Sequence, residues 1–140
     1  MTGSVSTTES AYHPLGVAGT FAVTVTSSVQ TLGQLLATAS KAIPIIAIEG
    51  NPKSFRFPTH LLLQSTFGNA DSIYMTMDNV TAPVSSVSPT IGWEITPGGF
   101  IKIPNVAPFL ENGEGVNVGN NTAFKFIADD DTYLAVIFTD

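Results

Sequence analysis

The chain reads as a single all-β domain, a β-sandwich or jelly roll of about eight short antiparallel strands with one short helix. Three observations predict it. Apolar and polar residues alternate with a period of two in several short runs. Turn signals separate those runs at intervals of about 8 to 12 residues. The stretch Gly92 to Asn105 places an explicit turn between two such runs. In that stretch Pro97 suits the first central position of a turn and Gly98 tolerates a positive φ, so Thr96-Pro97-Gly98-Gly99 is a turn with a mechanism. Phe100, Ile101 and Ile103 then surround Lys102 as in a half-buried strand.

Length supports one domain with its own core. A chain of 140 residues buries roughly 68 to 70% of its unfolded surface, so the lack of cysteine costs it nothing. That lack also removes disulfides, zinc-thiolate sites and cysteine nucleophiles.

Residues 1–19 are rich in Ser and Thr, contain Glu9 as their one charged residue, and show no strand or helix period. They read as an extended N-terminal arm, and residues 20–140 as the sandwich domain. A disordered terminus is the more frequent outcome at a chain end, but Tyr12, Leu15 and Val17 are groups that a solvated tail does not need; if the arm orders, it does so on a partner, with Tyr12, His13, Leu15 and Val17 as its contacts.

Residues 20–27 form a clean strand, with Phe21, Val23 and Val25 on one face and Ala22, Thr24 and Thr26 on the other. The period then changes. Val29, Leu32, Leu35 and Leu36 fit a helix over residues 28–40, with Ser27 or Ser28 as its cap and Gly33 as a weak point of about 1 kcal/mol. Residues 42–49 are a β-branched strand in which Pro44 belongs at an edge or start, and residues 50–53 a loop.

Residues 55–66 are extended and interrupted at Pro58; their second half, Leu61-Leu62-Leu63, is apolar on both faces and suits a central strand. Ile73, Met75 and Met77 share one face of the next strand. A Ser, Pro and Val loop follows over residues 80–90, and residues 105–115 cross back over the sandwich. Residues 116–118 are a brief strand before the turn 119–121. The ending reads as a hairpin, residues 123–127 and 133–138 around Asp129-Asp130-Asp131, and its last strand is apolar enough to lie inside a sheet.

Charge is sparse: 5 Lys and Arg against 11 Asp and Glu, net -6, with no basic residue before Lys41. An anionic surface repels phosphate backbones, so nucleic acid is not an expected partner. With 44% hydrophobic and 11% charged residues, the surface cannot be covered in charge, and apolar patches of that kind mark association sites. No run approaches the roughly 18 apolar residues of a membrane helix, and the N-terminus lacks a signal-peptide pattern.

Catalytic groups are few, and no enzyme is expected. His13 lies in the arm and His60 is expected as a strand residue with a satisfied ring, while no Gly-x-Ser-x-Gly elbow occurs. Glu111 and Glu114 share one Gly/Asn-rich loop, which does not set two carboxyls across a cleft. The run Asp129-Asp130-Asp131 lacks the spacing of a calcium loop, so a solvated turn is expected with neither metal nor cofactor. Asn79-Val80-Thr81 and Asn120-Asn121-Thr122 match the glycosylation sequon, which is idle without export.

From Asp71 onward the chain resembles small β-sandwich virion proteins of tailed bacteriophages, capsid decoration or cement proteins in particular. The residues that carry the resemblance are Ala70-Asp71-Ser72-Ile73-Tyr74 leading into Asp78-Asn79-Val80-Thr81, then Thr96-Pro97-Gly98-Gly99-Phe100-Ile101, then Tyr133-Leu134-Ala135-Val136-Ile137-Phe138. It implies a structural role on the outer capsid surface of the virion, with the major capsid protein as partner and a homo-oligomer, dimer or trimer, as the working form. A carbohydrate- or receptor-binding module of a tail or fibre is the competing expectation, with Trp93 and Tyr74 as its aromatic platform.

Overall fold

The computed structural model describes residues 17–48, 51–78, 80–85, 91–110 and 124–140, and for residues 17–18, 47–48, 51–56 and 108–109 the backbone alone. Two four-stranded antiparallel sheets face each other. Sheet 1 has the order β1 (Val17–Val25), β10 (Thr132–Thr139), β5 (His60–Ser65), β8 (Phe100–Ile103). Sheet 2 has the order β2 (Gln30–Thr31), β9 (Lys125–Ala128), β6 (Ile73–Thr76), β7 (Trp93–Ile95). β3 (Ile46–Ile48) and β4 (Asn51–Arg56) form a separate antiparallel pair. The expected all-β sandwich is what the chain forms.

Alternation builds the core. Val23 and Val25 of β1, Leu61 and Leu63 of β5, and Leu134, Val136 and Phe138 of β10 point inward from sheet 1. They meet Ile73, Met75, Phe126, Ala128 and Ile95 from sheet 2. β5 and β10 are both flanked by neighbours, as their apolar sequences require.

Five boundaries differ from the sequence expectation. β1 begins at Val17, whose Cα is partnered with Thr139, so Val17 belongs to the sandwich and the arm is at most residues 1–16. The helix, α1 (Leu32–Thr38), starts later than residue 28 because Gln30 and Thr31 pair with Phe126 and Lys125 as β2. Thr31, and neither Ser27 nor Ser28, is its N-cap: its hydroxyl accepts from the Gln34 amide, and the Gln34 side chain accepts from the Thr31 amide, a reciprocal capping box. The strand expected over residues 42–49 shortens to Ile46–Ile48, and part of the expected 50–53 loop is strand β4 instead. The crossing segment opens with a single turn, α2 (Ala107–Leu110), which anchors Val106 and Leu110 in the core.

The explicit turn at residues 96–99 and the expected C-terminal hairpin are both corners between the two sheets. The turn at residues 96–99 is as read: the Gly99 amide donates to the Thr96 carbonyl at 2.7 Å, and Gly98 has φ +80°. Yet β7 pairs with β6 in sheet 2 and β8 with β5 in sheet 1. Likewise Asp129-Asp130-Asp131 carries the chain from β9 in sheet 2 to β10 in sheet 1. In both cases strands adjacent in sequence join opposite sheets, so their partners are set by packing across the core and not by adjacency. The brief strand at 116–118 and the turn at 119–121 lie outside the described residues.

Candidate interaction surface

Because neighbouring residues on a strand alternate, the register fixes the outward face of sheet 1. One rung runs Ala22, Ala135, Gln64, Phe100, and the next runs Thr20, Ile137, Leu62, Lys102. Beside them Thr24 pairs with Tyr133, and His60 with Thr139. Lys102 is the one residue of these rungs with a full charge. Large apolar groups stand out of this face or at its end: Phe100 is 68% exposed, Tyr133 58% and Phe67 88%.

The three aromatics are held in place. The side-chain amide of Asn69 donates to the Tyr133 carbonyl at 2.7 Å and its oxygen accepts the Tyr133 amide at 3.0 Å. A third bond runs from Asn69 Nδ2 to Ser65 Oγ at 2.8 Å, so Asn69 ties the β5–β6 turn to β10. On the other side Gly98 donates to the Ser65 carbonyl and Ser65 to the Gly99 carbonyl. A β-carbon at Gly98 would lie 3.0 Å from Phe67 Cδ2, so that ring rests on the Pro97-Gly98 turn. Sequence reading missed Phe67 and the role of Asn69; Gly68-Asn69-Ala70-Asp71 reads from sequence only as a turn.

A second feature is a groove of about 460 Å³ between the β7 and β8 edges of the two sheets. Met75, Met77, Ile103 and Phe124 line its floor, and Trp93, 59% exposed, stands at its rim. Its polar end is already engaged. Asp78 Oδ1 accepts the amides of Val80 at 3.0 Å and Thr81 at 2.7 Å, and Oδ2 accepts the Thr81 hydroxyl at 2.6 Å. These bonds, the Thr81 hydroxyl first, lower the Asp78 carboxyl to about 2. Thr76 donates to the Thr81 carbonyl at 2.6 Å.

Tyr74 does not join Trp93. Trp93 is opposite the buried Met75, whereas Tyr74 is opposite Glu94 and Ile127 on the outer face of sheet 2. The expected two-residue aromatic platform is therefore split between opposite faces. Partial burial first, then the carboxylates of Glu94 and Asp129, hold the Tyr74 phenol above its ordinary value.

The other sequence candidates disperse. Tyr12, His13, Leu15, Glu111 and Glu114 lie outside the described residues, and Val17 is described by its backbone only. His60 opens β5, with Nδ1 2.8 Å from Thr59 Oγ1, and that hydroxyl is 3.4 Å from Asp140 Oδ1. The hydroxyl stands between imidazole and carboxylate, whereas a serine-type relay needs the imidazole in the middle. Asp130 Oδ1 accepts the Asp131 amide, a local turn bond, and among the described residues no group of three His, Cys, Asp or Glu is placed to hold a metal. No described helix is long and apolar enough to cross a membrane.

Comparison with protein-family models, with curated proteins and with solved structures finds no match for this chain.

Proposed function

We propose that the protein is a structural component of a tailed-phage virion, a decoration or cement protein that binds the outside of the assembled shell and bridges neighbouring capsomers. One observation carries the reading beyond the sequence resemblance. In a chain of net charge -6, the outer face of sheet 1 has Lys102 as its one full charge and large apolar groups exposed on it. Such a face is what a sandwich lays against another protein. The work it does is burial: each standard interface covers about 1,600 Å², and many copies around a shell add up. The acidic remainder faces away from nucleic acid. Tyr12, His13 and Leu15 of the arm extend the contact, with the major capsid protein as partner.

Replacing Phe100 and Tyr133 together by Glu tests the role of the face. Both side chains are more than half exposed, so unfolding should shift by no more than about 0.5 kcal/mol. Co-sedimentation with capsids lacking the protein should be lost. Deleting residues 1–16, which spares β1, should weaken attachment and leave the unfolding transition in place. Attachment undiminished in both variants refutes the reading.

The alternative, a carbohydrate- or receptor-binding module, has Trp93 at the groove rim in its favour. A sugar also requires polar partners, and those nearest the groove are occupied by Asp78, Thr76 and Thr81 bonding one another. A glycan array that shows binding lost in Trp93→Ala would favour that alternative.

A further inference from the structure

The edges of the two sheets differ in how they are defended against pairing with another chain. Short length, a charged residue and proline are the usual devices. β2 is two residues long, and β7 is three residues long and carries Glu94. β8 has four residues, carries Lys102 and runs into Pro104. β1 has none of these. It is nine residues long, bears no charge and no proline, and its one irregularity is the register shift between Val17 and Gly19 at its start. From Gly19 to Val25 its pairing with β10 is regular. Among the described residues no strand pairs with its far side, and no backbone hydrogen bond outside the sheet reaches it.

We infer that β1 pairs with β1 of a second copy, antiparallel across a two-fold axis, so that sheet 1 continues as eight strands through a homodimer. Two features make the occupant this same chain. Copies of net charge -6 repel one another over most of their surface, and β1 is a stretch where neither brings a charge. The strand also reads compatibly in both directions about Ala22. On the outer face Thr20 meets Thr24 of the second copy and Ala22 meets Ala22. On the inner face Phe21 meets Val23. Thr with Thr, and aromatic with β-branched, are favourable cross-strand pairs. A two-fold pairing of this kind is closed, because each copy spends the one edge left undefended among the described residues. The inference stands whether or not the protein binds a shell.

Sedimentation velocity and light scattering on the full chain decide it. The wild type should have twice the chain mass, dissociating on dilution. Thr20→Lys with Thr24→Lys places like charges opposite each other and should give a single-chain mass with an unchanged far-ultraviolet spectrum. Thr20→Lys with Thr24→Glu places opposite charges together and should restore the doubled mass. Hydrogen exchange on the wild type should show alternate amides of β1 slowed in the dimer and released on dilution, a reading that needs no variant to fold. A monomeric or trimeric wild type overturns the inference, as does a dimer that persists with both lysines. The Phe100 and Tyr133 double substitution should leave the doubled mass intact, which separates this edge from the shell-facing surface.

Discussion

Gly92 sits where only glycine fits. Its φ is +119°, and a β-carbon there would lie 2.8 Å from the carbonyl oxygen of Met75, a backbone atom that cannot move aside without disturbing β6. This close approach brings Trp93 into register with Met75 and so shapes the groove rim. Gly92→Ala should lower stability by about 1 to 3 kcal/mol, measured by chemical denaturation, and a neutral effect would show that the approach is looser. Asp78 makes a pH-dependent prediction. Its folded carboxyl is lowered from 3.8 to about 2, so its contribution to stability is present above the unfolded value and is lost as the pH falls through about 2. Carboxyl-carbon NMR should place its midpoint near 2, against an ordinary value if the Thr81 bonds do not persist in solution.

At the level of elements, much of the sandwich was legible in the residues. Alternation in β1 and the apolar run of β10 announced which side chains are buried, and Pro97-Gly98 announced its own turn. Partner choice was not. Nothing local to Trp93–Ile95 or Phe100–Ile103 says that the first joins β6 and the second β5, because that is decided by packing across the whole core. The cap was readable, since Thr31 and Gln34 stand at capping-box spacing, but the repeat of Val29 with Leu32 drew the helix start too early; Val29 is 40% exposed. The face carrying Phe100 and Tyr133 was hidden because alternation identifies inward and outward positions only after the sheet neighbours are known. Helix α1 ends in a Schellman arrangement, with Lys41 donating to the Leu36 carbonyl and Ser40 to that of Ala37. Ser40 takes the left-handed position at φ 59°. Ser40→Gly should raise stability by about 1 kcal/mol in the same denaturation assay, since glycine enters that region without a steric cost. A loss would mean that the serine side chain supplies something the backbone does not reveal.

For the whole molecule, a sparsely charged sheet face, an undefended edge and an acidic remainder all support the proposal that it works by association through surface burial. The core is closed, with Phe126, Phe138 and Leu63 fully buried, so the sandwich does not need a partner to complete it. The most direct test adds purified protein to tailed-phage capsids that lack it and follows both bound copies and the temperature at which the shells break. Saturable binding and a higher breakage temperature are expected. Shells that neither take up the protein nor resist heat any better would refute a capsid-binding role.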